Sequence, residues 1–275
     1  MRVDVNDVAL FVHEYGRGDP VVLVPPGPGL DGSAFFPWFE RLAGHRLLAV
    51  DLTGHGRSDR GDPARWTVAD WATDVARLAE AVGLENYTLL GHSFGARVAL
   101  QHAVDHPGHA ARVICSGGVS HRGALGHMEE TFASFGTPEL RASVEAAFDA
   151  EEAVETPEDC HAAWMGQMPF FLAEPDGPAL SELDLSWRTI RYSPEMHRHG
   201  SFGEYDVRGP LPSVSVPVLV ITGREDRITR PQESEEIAAL LSHATLAIVD
   251  GAGHFPFAER PSEYFDALGR WLDRT

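Results

Sequence analysis

Along the first half of the chain, short runs of β-branched residues and leucine alternate with stretches of helical periodicity. The runs lie at residues 21–24, 47–51, 87–90 and 113–115. That alternation is the pattern of strands linked by crossover helices into a parallel sheet. Between the second and third runs, Val68, Trp71, Val75, Leu78 and Val82 recur three or four apart. Thr67 precedes them, Asp70 follows it by three, and Gly83 closes the stretch. One amphipathic helix with a side-chain cap at its start and a glycine at its end is predicted there. After residue 116 the alternation stops for about a hundred residues. It returns with runs at 218–221 and 246–249 and a last helix opened by Pro261. Residues 117–213 therefore read as an insertion into a core built from 1–116 and 214–275, with the Pro- and Gly-rich stretch 209–217 as the return path. The chain shows no internal repeat and no low-complexity tract.

At 275 residues the chain fits one α/β domain carrying an insertion. It is long enough to bury roughly three quarters of its unfolded surface without staples. Two cysteines, Cys115 and Cys160, exclude a disulfide framework and a Cys-rich zinc module, and point to a reducing compartment. All 22 basic residues are arginine. Without a lysine there is no Schiff-base or pyridoxal-phosphate chemistry and no P-loop. A formal net charge of -19 argues against nucleic acid and anionic membrane surfaces as partners. The start, Met1-Arg2-Val3-Asp4, lacks an apolar run of signal-peptide length, and no stretch approaches the ~18 apolar residues of a span. The expectation is a soluble, cytoplasmic protein acting on a small molecule.

The most informative residues are Gly91-His92-Ser93-Phe94-Gly95, a G-x-S-x-G between an apolar run and a helix-forming stretch. Such a turn holds a serine on strained backbone, at a cost on the order of 1–3 kcal/mol, so that its hydroxyl stands clear of the sheet. Glycines two before and two after the serine let strand and helix approach closely. A serine hydroxyl needs a base held by an acid, and both are expected at later strand ends. Asp226, in Gly223-Arg224-Glu225-Asp226, follows the run at 218–221; His254, in Gly251-Ala252-Gly253-His254, follows the run at 246–249. The order Ser93, Asp226, His254 is the one this arrangement uses. Glu225 and Asp250 are rival acids, each less well spaced from its strand. A loop carboxylate that only caps a helix is the plainer alternative for Asp226.

A tetrahedral intermediate also needs backbone donors, each worth about 10²–10³ in turnover. Phe94, directly after the serine, supplies one at the start of its helix. After the run at 21–24 comes Pro25-Pro26-Gly27-Pro28-Gly29, where the prolines have no N–H and Gly27 is the predicted second donor.

These residues resemble the α/β-hydrolase family: the serine turn, the acid loop 223–226, the terminal Gly253-His254-Phe255-Pro256, and the segment 51–59, Asp-Leu-Thr-Gly-His-Gly-Arg-Ser-Asp. The resemblance covers nearly all of the chain outside the insertion. It implies an eight-stranded, mostly parallel sheet flanked by helices, a helical cap inserted after strand six at 117–213, and neither cofactor nor metal. Within the family, residues 25–29 look like the H-G-G-P-G loop of proline iminopeptidases, with Gly27 on its second glycine. Pro25, Pro26, His92 and Phe94 depart from that narrower pattern.

From Glu129 to Asp159 there are ten carboxylates against one arginine, Arg141, close to half of the net charge. Solvated helix faces explain such a run, and an acidic lid drawing amine-bearing substrates is the functional reading. Glu204, in Phe202-Gly203-Glu204-Tyr205-Asp206, is the acid singled out for amine binding. Aromatic residues gather at Phe35, Phe36, Trp38 and Phe39 and again around Trp164, Met165, Met168, Phe170 and Phe171. Trp164 and Phe170 are candidates to line an apolar pocket, in a fold where lining and packing overlap. His102, His106 and His109 are spaced somewhat like ligands, but without a carboxylate or cysteine cluster they read as surface histidines.

The expected chemistry is a serine hydrolase: Ser93 attacks, His254 moves the proton, Asp226 orients the ring, and Gly27 and Phe94 hold the oxyanion. Small esters, lactones or amides are the expected substrates. A proline iminopeptidase-like aminopeptidase, a carbon–carbon bond hydrolase and a non-catalytic ligand receptor on the same fold are the alternatives.

Overall fold

The structure is a computed structural model and describes residues 1–199 and 204–274. Eight strands form one sheet: β1 Arg2–Val5, β2 Val8–Gly16, β3 Pro20–Val24, β4 Arg46–Asp51, β5 Thr88–His92, β6 Arg112–Ser116, β7 Val218–Gly223 and β8 Ala244–Val249. Their order is β1-β2-β4-β3-β5-β6-β7-β8. β1 pairs antiparallel with β2 and β2 antiparallel with β4, and every later pairing is parallel. The six runs read from the sequence are strands β3 to β8. The hairpin β1–β2 is additional, and its signal is weak because β1 is a short, largely exposed edge and the end of β2 is solvated.

The central strands are buried on both faces, which is why they read as unbroken apolar runs. Alternate residues feed two cores. Val21, Leu23, Leu90, Ile114 and Leu219 point to one face, and Val22, Val24, Leu89, Val113 and Val218 to the other. The second face is covered by α1 Val68–Ala81, α2 Phe94–Asp105 and α8 Pro231–Leu240. Thr67 caps α1 as its pattern predicts, accepting the amide of Asp70 at 3.1 Å.

Between β6 and β7 the chain forms α3 Met128–Ala133, α4 Pro138–Glu151, α5 Pro157–Phe171, α6 Pro178–Trp187 and α7 Glu195–His199. Apolar residues of α5 and α6, among them Trp164, Phe170, Leu183 and Trp187, join the first core rather than building a separate one. That core continues into α9 Pro256–Glu259 and α10 Pro261–Leu272, where Phe257 meets Phe35, Trp38 and Phe39.

Cys115 and Cys160 are both buried, and neither is in a disulfide among the described residues. Among the described residues no helix is long and apolar enough to cross a membrane. One expectation is corrected. His102 is fully buried, not a surface residue, because the Tyr87 hydroxyl lies 3.0 Å from its Nε2 and 2.9 Å from His109 Nδ1, giving the inward-facing imidazole a polar partner.

Candidate active site

Parallel strands β5 to β8 send their C-terminal ends to one edge of the sheet, where an open α/β sheet forms its crevice. Ser93 follows β5 directly, and Asp226 and His254 stand on the loops after β7 and β8. Topology thus converges residues that lie far apart in sequence.

Ser93 has φ 54° and ψ -113°, a left-handed backbone that a side-chain-bearing residue rarely adopts. Its amide donates to Ser116 O at 2.8 Å, which fixes the turn against β6. The bend is tight enough that a Cβ on Gly91 would fall 2.0 Å from Gly95 O, and one on Gly95 would fall 2.1 Å from Val24 O. The last contact also shows that the end of β3, and the loop 25–29 that leaves it, lies against the start of α2.

His254 Nε2 lies 2.8 Å from Ser93 Oγ, and His254 Nδ1 lies 2.8 Å from Asp226 Oδ2. With the Nδ1 proton donated to Asp226, Nε2 offers its lone pair to the serine hydroxyl. Asp226 is buried and fully engaged: Oδ1 accepts the amides of Ile228 (2.8 Å) and Thr229 (2.9 Å), and Oδ2 also accepts the Thr229 hydroxyl (2.8 Å). It is therefore both the loop's organiser and the imidazole's partner. Of the rival acids, Asp250 pairs with Arg224 at the surface and Glu225 is exposed.

His92 packs its ring 5.1 Å from that of His254. Its Nδ1 lies 3.1 Å from Ser116 Oγ, which accepts the Tyr264 hydroxyl at 3.1 Å. Burial, and then the neighbouring His254, hold the His92 imidazole well below the ordinary histidine range.

A second network shapes the floor. Asp51 Oδ1 accepts His13 Nε2 (2.8 Å) and the Gly32 amide (2.9 Å), and Oδ2 accepts the Arg57 amide (2.8 Å). Asp31 accepts the amides of Ser33 (2.9 Å) and Arg191 (3.0 Å), and burial followed by the Asp51 charge pushes its carboxyl up. Ser193 donates its amide to Gly29 O at 2.9 Å and accepts the Gly56 amide at 3.1 Å. The Gly27 loop is thus tied to the loop 51–59 and to residues 191–193. Among the described residues, His13, Asp31 and Asp51 form the one group of three whose ligand atoms lie within 4.8 Å of one another. Their oxygens are already taken up by the fold, so the group acts as a hydrogen-bond hub.

The segment closing α5 lies directly on the site. His254 donates its amide to Phe171 O at 2.7 Å, and the Phe171 ring lies 5.5 Å from the imidazole. Trp164 lies behind it, tilted by 57° with ring centroids 5.8 Å apart, and its indole Nε1 has no hydrogen-bond partner among the described residues. Phe170 turns the other way, into a cluster with Phe132 and Phe135 at 5.1 and 5.2 Å. Adjacent helix positions point about 100° apart, and nothing in the apolar run 170–171 says which ring faces the site. Glu204 is exposed; Phe202 and Gly203 lie outside the described residues. A cleft of about 450 Å³ opens beside Pro28, lined by Phe148, Glu151, Glu152 and His197.

A family model described as alpha/beta hydrolase fold matches residues 19–261. A proline iminopeptidase from Lactobacillus helveticus is 26% identical, over 96% of this chain and 93% of its own. An N-formylmaleamate deformylase from Pseudomonas putida is 28% identical, over 99% of this chain and 96% of its own. Among solved structures, a thermophilic esterase from Thermogutta terrifontis superposes with a TM-score of 0.77 at 24% identity, covering 100% of this chain and 98% of its own.

Proposed function

The chain belongs to the alpha/beta hydrolase family, and from that premise we propose that it is a cofactor-independent serine hydrolase working through an acyl-enzyme on Ser93. The single observation behind this reading is the unbroken chain of two 2.8 Å contacts from Ser93 Oγ through His254 to Asp226. In the scheme, Ser93 Oγ attacks a carbonyl carbon while its proton passes to His254 Nε2. The negative oxygen is held by the amides of Phe94, the first residue of α2, and Gly27. His254 then gives its proton to the leaving group, and a water activated by the same imidazole releases the acid. Asp226 orients the ring and stabilises its protonated form.

Residues 117–213 act in this reading as a helical cap, with Phe171 and Trp164 forming an apolar wall over the imidazole and selecting small esters, lactones or amides with an apolar acyl part. A second reading, an aminopeptidase of proline iminopeptidase type, is favoured by the relatives of that name and by the carboxylate-lined cleft beside Pro28. Its leaving-group chemistry is the same, so substrates separate the two.

The test is covalent labelling by a fluorophosphonate of wild type and Ser93→Ala, followed by aryl esters, lactones and aminoacyl anilides assayed side by side. Labelling confined to the wild type, with turnover of one panel, is expected. Equal labelling of both proteins rejects Ser93 as the nucleophile, and labelling without turnover of any panel favours a receptor on the same fold.

A further inference from the structure

Glu259 ends the short helix α9, five residues after His254, and takes no part in the scheme above. Its Oε1 accepts the amides of Gly253 (2.9 Å) and Phe255 (3.1 Å), the two residues that flank His254. Its Oε2 accepts the amide of Ala173 at 2.7 Å, just beyond the end of α5. With the His254 amide donated to Phe171 O, three successive amides of the imidazole loop are held by one carboxylate and one carbonyl. The two backbones touch: a Cβ on Gly253 would lie 2.4 Å from Phe171 O and 2.6 Å from Ala173 N, so only glycine permits the approach. Arg227 adds a third tie by donating to Leu172 O at 2.6 Å.

Three donors on two oxygens ask for a group that only accepts, which a carboxylate is and an amide is not. A glutamine here would turn its NH₂ toward either Ala173 N–H or the Gly253 and Phe255 pair. The carboxylate is largely enclosed, and burial pushes its carboxyl up while the three amides pull it down. Around it stand Arg260, paired with Glu174 at 2.9 Å, together with Arg227 and Asp226. Facing the His254 ring are Ser93, Asp226 and His92.

We propose that Glu259 is a positioning residue for His254. It fixes the loop that carries the imidazole and joins that loop to residues 171–173, so the ring is presented to Ser93 only while the end of α5 is seated. The inference rests on the reading of Ser93, His254 and Asp226 as a catalytic set.

The test uses the full chain, p-nitrophenyl acetate turnover, fluorophosphonate labelling and thermal melting. Glu259→Gln should lower kcat and the labelling rate by about 10–100-fold, the scale of an ångström-sized misplacement, with KM changed less than threefold. Loss of a nearby negative charge makes the imidazolium easier to deprotonate, so the acid limb of the pH–rate profile should move to lower pH. Glu259→Asp keeps the charge with a shorter reach. It should give an intermediate kcat and the wild-type acid limb, and it decides by its kcat alone if Glu259→Gln does not fold. A purely structural role would lower the melting temperature and leave kcat, labelling and acid limb at wild-type values, which overturns the proposal. Failure of the wild type to label, or equal labelling of Ser93→Ala, removes the catalytic set itself and the inference with it.

Discussion

His92 and His254 lie ring against ring, centroids 5.1 Å apart, and their surroundings assign them opposite tasks. His254 is bonded to a carboxylate on one nitrogen and a hydroxyl on the other, while His92 Nδ1 lies against the Ser116 hydroxyl and its Nε2 has no hydrogen-bond partner among the described residues. Burial and the proximity of His254 keep His92 neutral far below the usual histidine range.

The activity should consequently fall in acid with the slope of one proton, not two. In the proposed scheme a protonated imidazole at position 254 cannot accept from Ser93, whereas His92, held well below the ordinary histidine range, stays neutral where an unperturbed histidine titrates. A plot of log kcat/KM against pH with a limiting slope of one is expected, and a slope of two would mean that His92 protonates as well.

Asp226→Asn should leave folding nearly intact and lower kcat by about 10³–10⁴-fold. The amides of Ile228 and Thr229 both demand an acceptor at the Oδ1 position. The new NH₂ therefore takes the Oδ2 position and donates to His254 Nδ1, which forces the proton onto Nε2, the wrong nitrogen for accepting from serine. Steady-state kinetics beside a melting curve check this, and a loss under tenfold would remove Asp226 from its orienting role.

Stability should decline as pH falls from about 6.5 toward 4. His55 is buried, its Nε2 has no hydrogen-bond partner among the described residues, and burial pulls its pKa down to about 4; His102 is pulled down to about 3, again by burial first. Each binds a proton more readily unfolded, so the native advantage is complete above the unfolded value of 6.5 and disappears as pH falls through the folded one. For His55 the difference is on the order of 3 kcal/mol. Asp31, Asp74 and Glu259, whose pKa values are raised, work in the opposite sense and soften the slope. Urea unfolding at pH 7.5, 5.5 and 4.5 should show the decline, and His55→Gln should flatten it; an unchanged slope would argue against a buried neutral His55.

Phe257→Ala should cost about 3–5 kcal/mol, the usual range for truncating a buried aromatic ring. The ring is fully buried and touches Phe35, Trp38, Phe39, His92, Phe255 and Tyr264, so it joins the sheet, the last helix and the wall of the site. Chemical denaturation reads the loss directly. A cost below 1 kcal/mol would show that the neighbouring rings collapse into the space.

Local patterns carried the serine turn, strands β3 to β8 and the cap of α1, because each is specified by residues within one turn or one strand: glycines where backbones meet, apolar runs that are unbroken where both faces are covered and mixed in the edge strand β8, a threonine three before an aspartate. Contacts across the fold decided the rest. Asp226 is distinguished from Glu225 by which carboxylate the loop after β7 turns inward, and from Asp250, just after β8, by that residue's surface pairing with Arg224. Phe171 faces His254 and Phe170 faces away because of how α5 is rotated on the sheet, a quantity no short window of sequence contains. His102 is buried because Tyr87, fifteen residues earlier, offers it a hydroxyl. Glu259 looks like an ordinary surface acid until the amides of Gly253, Phe255 and Ala173 are seen to converge on it. Turn strain and strand burial are short-range properties written into neighbouring residues, whereas the pairing of a donor with an acceptor eighty or more positions away exists only once the chain has packed.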